Sequence, residues 1–159
     1  MNIKKYWMTL AIALVGVCTI SCGGDDEDEG GTRDNPVTMA DPEGTIVVNL
    51  ANDKKVYLRY FDYIYMNSAN NLVTNITEIV SVGNVKGLSS ITRIPETGWS
   101  NTTAAIPGYG YVLRNRYWED NQTKYRYARI YAVDYMTSTS GGIMGITIKY
   151  QENWEPDAK

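Results

Sequence analysis

The chain has 159 residues, 15 basic and 18 acidic side chains and no histidine, which fits one domain of nearly balanced charge. Without histidine, Ser-His-Asp and Cys-His catalytic sets are excluded, and two cysteines alone do not supply the ligands of an ordinary zinc site. There is no basic excess of the kind that binds nucleic acid, and we expect neither a nucleic-acid partner nor a cofactor.

The first 21 residues have the three parts of a secretory signal peptide. Lys4 and Lys5 give a positive start, residues 6–17 are mostly apolar, and Ser21 is a small residue at the cleavage position. The apolar run is shorter than the roughly 20 residues that span a bilayer. The pattern predicts that residues 1–21 are a cleaved signal and that Cys22 begins the mature protein.

Cys22 is the predicted lipid-attachment site. Residues 19–22 resemble a bacterial lipobox in their last two positions, whereas Thr19 and Ile20 depart from its usual form. Two or more acyl chains on Cys22 would anchor the protein stably in a membrane. The alternative is an ordinary signal that leaves Cys22 as a free thiol, which is an unusual liability in a secreted protein.

A run of five acids at residues 25–29 follows Cys22, and residues 22–42 are predicted to form a disordered, solvated tether. Six acids and three basic residues precede residue 36, which leaves 12 of each sign in residues 36–159. The negative charge of the mature protein therefore belongs to the tether. Acids just after a lipidated cysteine also resemble the surface-export signal of Bacteroidota lipoproteins, which implies display on the outer face of the outer membrane.

Residues 43–159 are predicted to form a single all-β domain, either a sandwich or a barrel. Runs rich in Val, Ile, Thr and Tyr alternate with turn residues such as Asn52-Asp53 and Gly141-Gly142. No window shows sustained helical spacing of apolar residues, and several short strands at this spacing are typical of a sandwich or barrel. The predicted strands cover residues 45–50, 56–66, 72–82, 103–106, 109–116, 125–136 and 143–150.

Two of these predicted strands, residues 56–66 and 125–136, carry tyrosines and arginines on one face. Such a face is either a set of cross-strand tyrosine ladders or a binding surface. A chain with 13 tyrosines and one phenylalanine favours ladders, because tyrosine then supplies much of its apolar area. Residues 83–99, which contain several glycines and a proline, are predicted to be a long loop with at most one short strand. Loops of this length are often functional.

Three aromatic side chains in loop, turn or strand-start positions are candidate ligand contacts. Trp99 ends the long loop, Trp118 precedes the turn at residues 119–121, and Tyr109 follows Pro107-Gly108. Flat aromatic rings suit the CH-rich faces of sugars, and ligand pockets commonly combine apolar walls with a few polar groups. The alternative for each tryptophan is a place in the core, since tryptophan is highly buried on average.

The sequence contains the strings Asp41-Pro42-Glu43-Gly44-Thr45, Val85-Lys86-Gly87-Leu88, Gly108-Tyr109-Gly110-Tyr111-Val112, Ala128-Arg129-Ile130-Tyr131 and Ser138-Thr139-Ser140-Gly141-Gly142. Together these strings resemble a family of small Bacteroides-type lipoproteins classed as a domain of unknown function. The resemblance implies one lipid-anchored domain and brings no established activity with it.

Acidic residues in the domain offer little for catalysis or metal binding. Asp62 and Asp134 are the candidate pair for a hydrolase that works with carboxylates alone, which needs the two groups about 5–10 Å apart. The alternative is that each is hydrogen-bonded or paired with an arginine. The oxygen-rich turn at residues 119–121 falls short of the six to eight ligands that calcium takes, so we expect no metal site.

The sequence thus favours a non-catalytic lipoprotein, displayed on the cell surface through Cys22, that binds an extracellular glycan or a similar ligand. The alternative is a protein-interaction role, as an accessory subunit of an outer-membrane complex or an inhibitor or immunity-type factor. In that case the tyrosine and arginine face would be the interface, because both residue types are enriched at such surfaces. A carboxylate-dependent hydrolase is the third and weakest hypothesis.

Overall fold

The computed structural model describes residues 32–34, 36 and 45–156, and this part of the chain folds as a sandwich-like pair of antiparallel sheets. The prediction of an all-β domain is confirmed, and of the two predicted architectures the sandwich is present. The predicted signal peptide, Cys22, most of the predicted tether and the predicted domain start at residue 43 lie outside the described residues. Within the described residues, no helix is long and apolar enough to cross a membrane.

The regular structure of the described residues consists of nine strands and one 3-10 turn at Leu88–Ser90. The larger sheet has the strand order β1-β9-β8-β7-β5, and the smaller sheet has the order β2-β3-β4-β6. The strands are β1 (Thr45–Ala51), β2 (Val56–Leu58), β3 (Asp62–Met66), β4 (Asn71–Thr74), β5 (Glu78–Asn84), β6 (Thr102–Ala104), β7 (Tyr109–Glu119), β8 (Gln122–Thr137) and β9 (Ile143–Gln151).

The larger sheet is the middle layer of the fold, because both of its faces are covered. Alternate residues of its strands face the smaller sheet and form the main core with it. This core includes Leu50, Tyr111, Leu113, Ile130, Ile146 and Ile148 from the larger sheet and Leu58, Ile64, Met66 and Leu72 from the smaller one. On the opposite face, residues 85–99 and the C-terminal Trp154 cover a second cluster built on Val80 and Val112.

The long loop was predicted to hold at most one short strand, and the structure shows the 3-10 turn instead. Leu88 and Ile91 of this loop are buried in the second cluster, where they pack with Trp154. The loop is therefore a structural cover for the larger sheet as well as a candidate functional segment.

The prediction of one continuous strand over residues 56–66 is wrong. The chain turns back at residues 59–61, and Tyr57 of β2 lies directly opposite Tyr63 of β3. Tyr60 and Asp62 have φ angles of 70° and 59°, in the left-handed region that ends regular pairing. The turn lets Phe61 enter the core. The even spacing of apolar residues continued across the turn, which made two strands look like one.

Residues 72–82 were also predicted as one strand, and the structure divides them between the two sheets. The chain crosses at residues 75–77, between β4 and β5. At the crossing, the buried Thr77 hydroxyl donates to the carbonyl of Phe61, and the Thr74 hydroxyl donates to the carbonyl of Thr77. These bonds satisfy polar groups that would otherwise be buried without partners where neither sheet continues.

Candidate functional site

A two-stranded arm projects from the larger sheet and carries the most exposed tryptophan of the described residues. Pairing of β7 with β5 ends at Arg114, and pairing of β8 with β9 begins at Arg129. Beyond these points, residues 115–119 and 122–126 pair only with each other among the described strands. Asp120 and Asn121 form the two-residue turn at the tip, with φ angles of 51° and 57° that suit a type I′ hairpin. We call this hairpin the arm.

One face of the arm carries aromatic and arginine side chains in alternation. Strand periodicity places Arg114, Arg116 and Trp118 of β7 on this face, and in β8 it places Tyr125 directly opposite Arg116. The Trp118 side chain is 69% exposed and that of Tyr125 is 40% exposed. We call the surface formed by these four residues and Trp99 the aromatic platform.

Trp99 joins the platform through Arg114. The Arg114 guanidinium lies 4.2 Å from the centre of the Trp99 ring and 5.1 Å from that of Tyr125. Its Nε donates to Glu78 Oε2 at 2.6 Å, and this bond lowers the pKa of the Glu78 carboxyl and raises that of the guanidinium. The Trp99 indole N–H donates to the carbonyl of Pro95 at 3.1 Å. Trp99 is therefore held on both sides, and this end of the platform is ordered before any ligand arrives.

The opposite face of the arm is occupied by internal contacts. Arg126 lies 4.5 Å from the ring of Tyr60 and 4.4 Å from that of Tyr117, so it is stacked between the arm and the β2–β3 turn. At the tip, Lys124 Nζ donates to Glu119 at 2.7 Å and to Asp120 at 3.3 Å. These contacts neutralise or cover the charges on this face and stiffen the arm, which leaves the platform as its free surface.

Arg116 differs from the other arginines of the two sheets. Arg59, Arg114, Arg126 and Arg129 all stack on aromatic rings. The exposed Arg116 makes no hydrogen bond, ion pair or ring contact with any described residue, although it is near enough to Glu78 to help lower the pKa of that carboxyl. Its five donors are available to a ligand on the platform.

The structure brings two of the three predicted ligand contacts to one surface. Trp99 and Trp118 both lie on the platform, with Arg114 and Tyr125 between them. Tyr109 is half-buried against the main core at the other end of β7, nine positions or about 30 Å from Trp118. It is therefore not part of the platform. The buried Trp154 is a core residue, as the alternative interpretation of the tryptophans predicts.

Asp62 and Asp134 do not form a pair of facing carboxylates. Asp62 begins β3 and accepts a hydrogen bond from the Asn75 amide at 3.0 Å, beside the β2–β3 turn that contacts Arg126. Asp134 lies eight positions, about 26 Å, from Arg126 along β8 and accepts its neighbour's backbone N–H. Within the described residues, no group of three or more metal-binding side chains comes together.

Tyrosines on the outer face of the smaller sheet form a ladder. The rings of Tyr57 and Tyr63, which are direct cross-strand partners, meet edge to face with their centres 5.6 Å apart. Tyr65 follows at 6.1 Å from Tyr63, and Lys55 caps the Tyr63 ring at 4.3 Å. On β8 the tyrosines divide: Tyr127 and Tyr131 are half-buried in the second cluster, whereas Tyr125 belongs to the platform.

Sequence reasoning missed Arg114, Arg116 and Tyr125 as members of one site. The signal was present in the alternation of residues 114–118, Arg-Asn-Arg-Tyr-Trp, which places both arginines and the tryptophan on the same face of a strand. Which face remains uncovered depends on where the neighbouring strands end, and the alternation does not show that.

No protein-family model matches the chain, and no curated protein matches it. Among solved structures, the chain is similar to that of a candidate lipoprotein from Bacteroides fragilis, at 14% sequence identity and a TM-score of 0.45. The match covers 82% of this chain and 98% of the other. At this identity and TM-score it assigns no ligand and no site residue to the chain, and the functional assignment comes from the site itself.

Proposed function

We propose that this chain is a surface-displayed lipoprotein, anchored through Cys22, whose domain is a non-catalytic module that binds an extracellular glycan on the aromatic platform. The observation that carries the proposal is Trp118. It stands 69% exposed on a stiffened arm, with Tyr125, Arg116 and Trp99 on the same face. An exposed aromatic surface of this kind marks an interaction site in a soluble domain.

The chemistry of the platform suits sugars. Each sugar ring presents a face of C–H groups that packs on an indole or phenol ring, and hydroxyl groups around its rim that need hydrogen-bond partners. Trp118 and Tyr125 are diagonal neighbours across the arm, so their rings offer two adjacent stacking positions. Arg116, which is directly opposite Tyr125 and two residues before Trp118 on the same face, supplies hydrogen-bond donors for hydroxyl or carboxylate oxygens.

The anchor fits a binding role at the cell surface. The predicted tether would hold the domain away from the membrane, and residues 36–159 have balanced charge. Long-range electrostatic steering of a partner would then be weak, so short-range stacking and hydrogen bonding on the platform would determine which ligand is held.

A protein partner is the second candidate function, and the tyrosine ladder is the observation that favours it. Tyr57, Tyr63 and Tyr65 lie in a row on the outer face of the smaller sheet, and aromatic residues are enriched in the buried centres of protein interfaces. Crosslinking on intact cells with a photoreactive residue at position 65 would test it. A reproducible protein adduct supports an accessory-subunit role, and its absence argues against one.

Glycan binding is tested with the chain from residue 22 onwards, carrying Cys22→Ser in place of the acylated cysteine. The wild-type chain should be retained on a subset of polysaccharides and mucin glycans. Stacking a sugar on one face of Trp118 covers on the order of 80 Å² of its ring, or about 2 kcal/mol. Trp118→Ala should therefore weaken binding roughly 30-fold.

The control for this experiment is Val47→Ala. Val47 is 64% exposed on β1, at the far edge of the larger sheet, and should affect neither binding nor melting temperature. Trp118→Ala should leave the melting temperature unchanged, because its side chain has few contacts to lose. Full retention of glycan binding by Trp118→Ala would contradict the proposal, and so would a wild-type chain that binds no glycan in a broad array.

A further inference from the structure

The long loop and the edge strand β5 enclose a pocket that contains no residue of the aromatic platform. Its volume is about 540 Å³, within the range of small-molecule sites, and it is a cleft that is more open than enclosed. The lining residues are Ser81, Val82 and Val85 from β5 and the chain just after it, and residues 90–95 of the loop.

The walls of this pocket are fixed by contacts outside it. Arg129 Nη1 donates to the carbonyl of Ile91 at 2.7 Å, and the Trp99 indole N–H donates to that of Pro95 at 3.1 Å. Ile91 is also buried in the second cluster, and the 3-10 turn before it is closed by the bond from Ser90 N–H to Gly87. A loop held at both ends of its lining segment does not have to be ordered by a ligand, which lowers the cost of binding.

The lining contains both apolar and polar residues. Val82, Val85, Ile94 and Pro95 are half-buried and provide the apolar part. The polar residues Ser90, Thr92 and Arg93 are exposed. None of the lining residues is an acid, so the only formal charge in the pocket is positive.

Arg93 is uncommitted in the same way as Arg116. It makes no hydrogen bond, ion pair or ring contact with any described residue, and the hydroxyls of Ser90 and Thr92 in the same lining have no hydrogen bond to the described part of the chain. A guanidinium suits a carboxylate, which can accept two parallel bonds from the guanidinium fork.

We propose that this pocket binds an apolar organic acid, with its hydrocarbon part between Val82, Val85 and Ile94 and its carboxylate at Arg93. The hydrocarbon leaves water for a preformed apolar surface, while the carboxylate stays at the exposed Arg93, partly hydrated. This arrangement avoids the penalty of burying a charge. The site and the platform have no residue in common, although the Trp99 indole of the platform donates to the carbonyl of Pro95 in the lining.

The probes are butanoate, hexanoate and octanoate, with octanamide as the neutral match for octanoate. They are titrated into the chain from residue 22 with Cys22→Ser and followed by backbone amide NMR. Affinity should rise about fourfold for each methylene that enters the pocket. Octanoate should bind several-fold more tightly than octanamide, and the saturating shifts should cluster at residues 81–95.

Two matched variants locate the charge. Arg93→Gln should remove the difference between octanoate and octanamide and leave octanamide binding unchanged, while Arg116→Gln should leave both affinities as in the wild type. Both arginines are exposed and make no hydrogen bond, ion pair or ring contact with the described residues, so neither change should affect folding.

Three results would overturn the proposal: equal affinity for octanoate and octanamide in the wild type, no dependence on chain length, or shifts centred on the arm. Octanoate binding that survives Arg93→Gln at full strength would do the same. Since neither the probes nor Arg93 involve the platform, failure here leaves glycan binding intact, and loss of glycan binding in Trp118→Ala leaves this site intact.

Discussion

Arg114 is the residue that joins Trp99, Tyr125 and Glu78 into one rigid unit, and Arg114→Met tests this role. Methionine keeps a long apolar stem that can pack in place of the arginine stem, so the substitution mainly removes the guanidinium. Two ring contacts are lost, at about 0.5–1 kcal/mol each for partly exposed sites. The ion pair with Glu78 adds a few tenths of a kcal/mol, because its side chains are 23% and 43% exposed.

Arg114→Met should therefore lower the free energy of unfolding by about 1–2 kcal/mol, which corresponds to a fall in melting temperature of about 4–8 °C for a domain of this size. Arg116→Met is the matched control. It makes the same chemical change two positions along the same strand face, where the guanidinium makes no hydrogen bond, ion pair or ring contact with the described residues, and it should leave the melting temperature nearly unchanged. Differential scanning calorimetry of the three proteins at pH 7 measures both effects.

The ionic share of this effect depends on pH. Arg114 lowers the pKa of the Glu78 carboxyl, so its stabilisation is complete above the ordinary carboxyl pKa and is lost as the pH falls through the lowered value. The difference in melting temperature between wild type and Arg114→Met should therefore decrease over that pH interval, until only the contribution of the ring contacts is left. If Arg116→Met is as destabilising as Arg114→Met, or if the gap widens in acid, then Arg114 does not have this role.

Two further pairs of variants test the core. Tyr111→Phe removes a hydroxyl that donates to the Ala104 carbonyl at 2.8 Å and accepts the Ile106 N–H. It should lower the free energy of unfolding, measured by chemical denaturation, by about 1–3 kcal/mol. Tyr150→Phe removes a buried hydroxyl with no partner among the described residues and should be neutral or stabilising; equal losses would refute the distinction. Gly145→Ala would place a methyl carbon 2.3 Å from a backbone oxygen of β1 and should prevent stable folding. Gly87→Ala meets nothing within 4 Å and should fold normally, and circular dichroism distinguishes the two outcomes. A Gly145→Ala protein as stable as Gly87→Ala would show that β1 and β9 pack less closely than described.

The long strands were predicted from sequence nearly to their ends. In β8 and β9, apolar residues such as Ile130 and Ile146 alternate with Tyr, Arg, Thr or Lys, and this two-residue period predicts a strand. The errors lie in residues 56–66 and 72–82, where one strand was predicted and the structure has two separate strands. In both, an apolar residue resumes in phase after the break, so periodicity alone does not detect the turn. Asp62, the one residue out of pattern in the first segment, marked the position of the turn.

The platform was predicted only in part, because it depends on strand register and on where neighbouring strands end. Trp99 and Trp118 are separated by 18 residues and meet one surface through Arg114, which pairs with Tyr127 across the hairpin. The equally suggestive Tyr109 lies at the other end of the same strand. The three aromatic candidates were chosen by residue type alone. Only two of them share a surface, because that surface lies where the pairing with β5 and β9 ends.

Candidate binding surfaces in this domain differ from structural surfaces in whether the arginine guanidinium contacts other residues of the fold. Tyrosine and arginine are mixed on both faces of the arm and on the second cluster, so composition alone makes all three look like binding surfaces. On two of them the guanidiniums of Arg126 and Arg129 are stacked or hydrogen-bonded within the fold, where their donors stabilise it. Arg116 and Arg93 make no such contacts with the described residues, and each lies beside apolar groups that are exposed or half-buried. An exposed guanidinium without an internal partner stays hydrated and does not destabilise the fold. It forms its strongest hydrogen bonds when a ligand brings a carboxylate or another anionic group to it. These two positions, and not the tyrosine-rich faces as a whole, are therefore where ligands should bind.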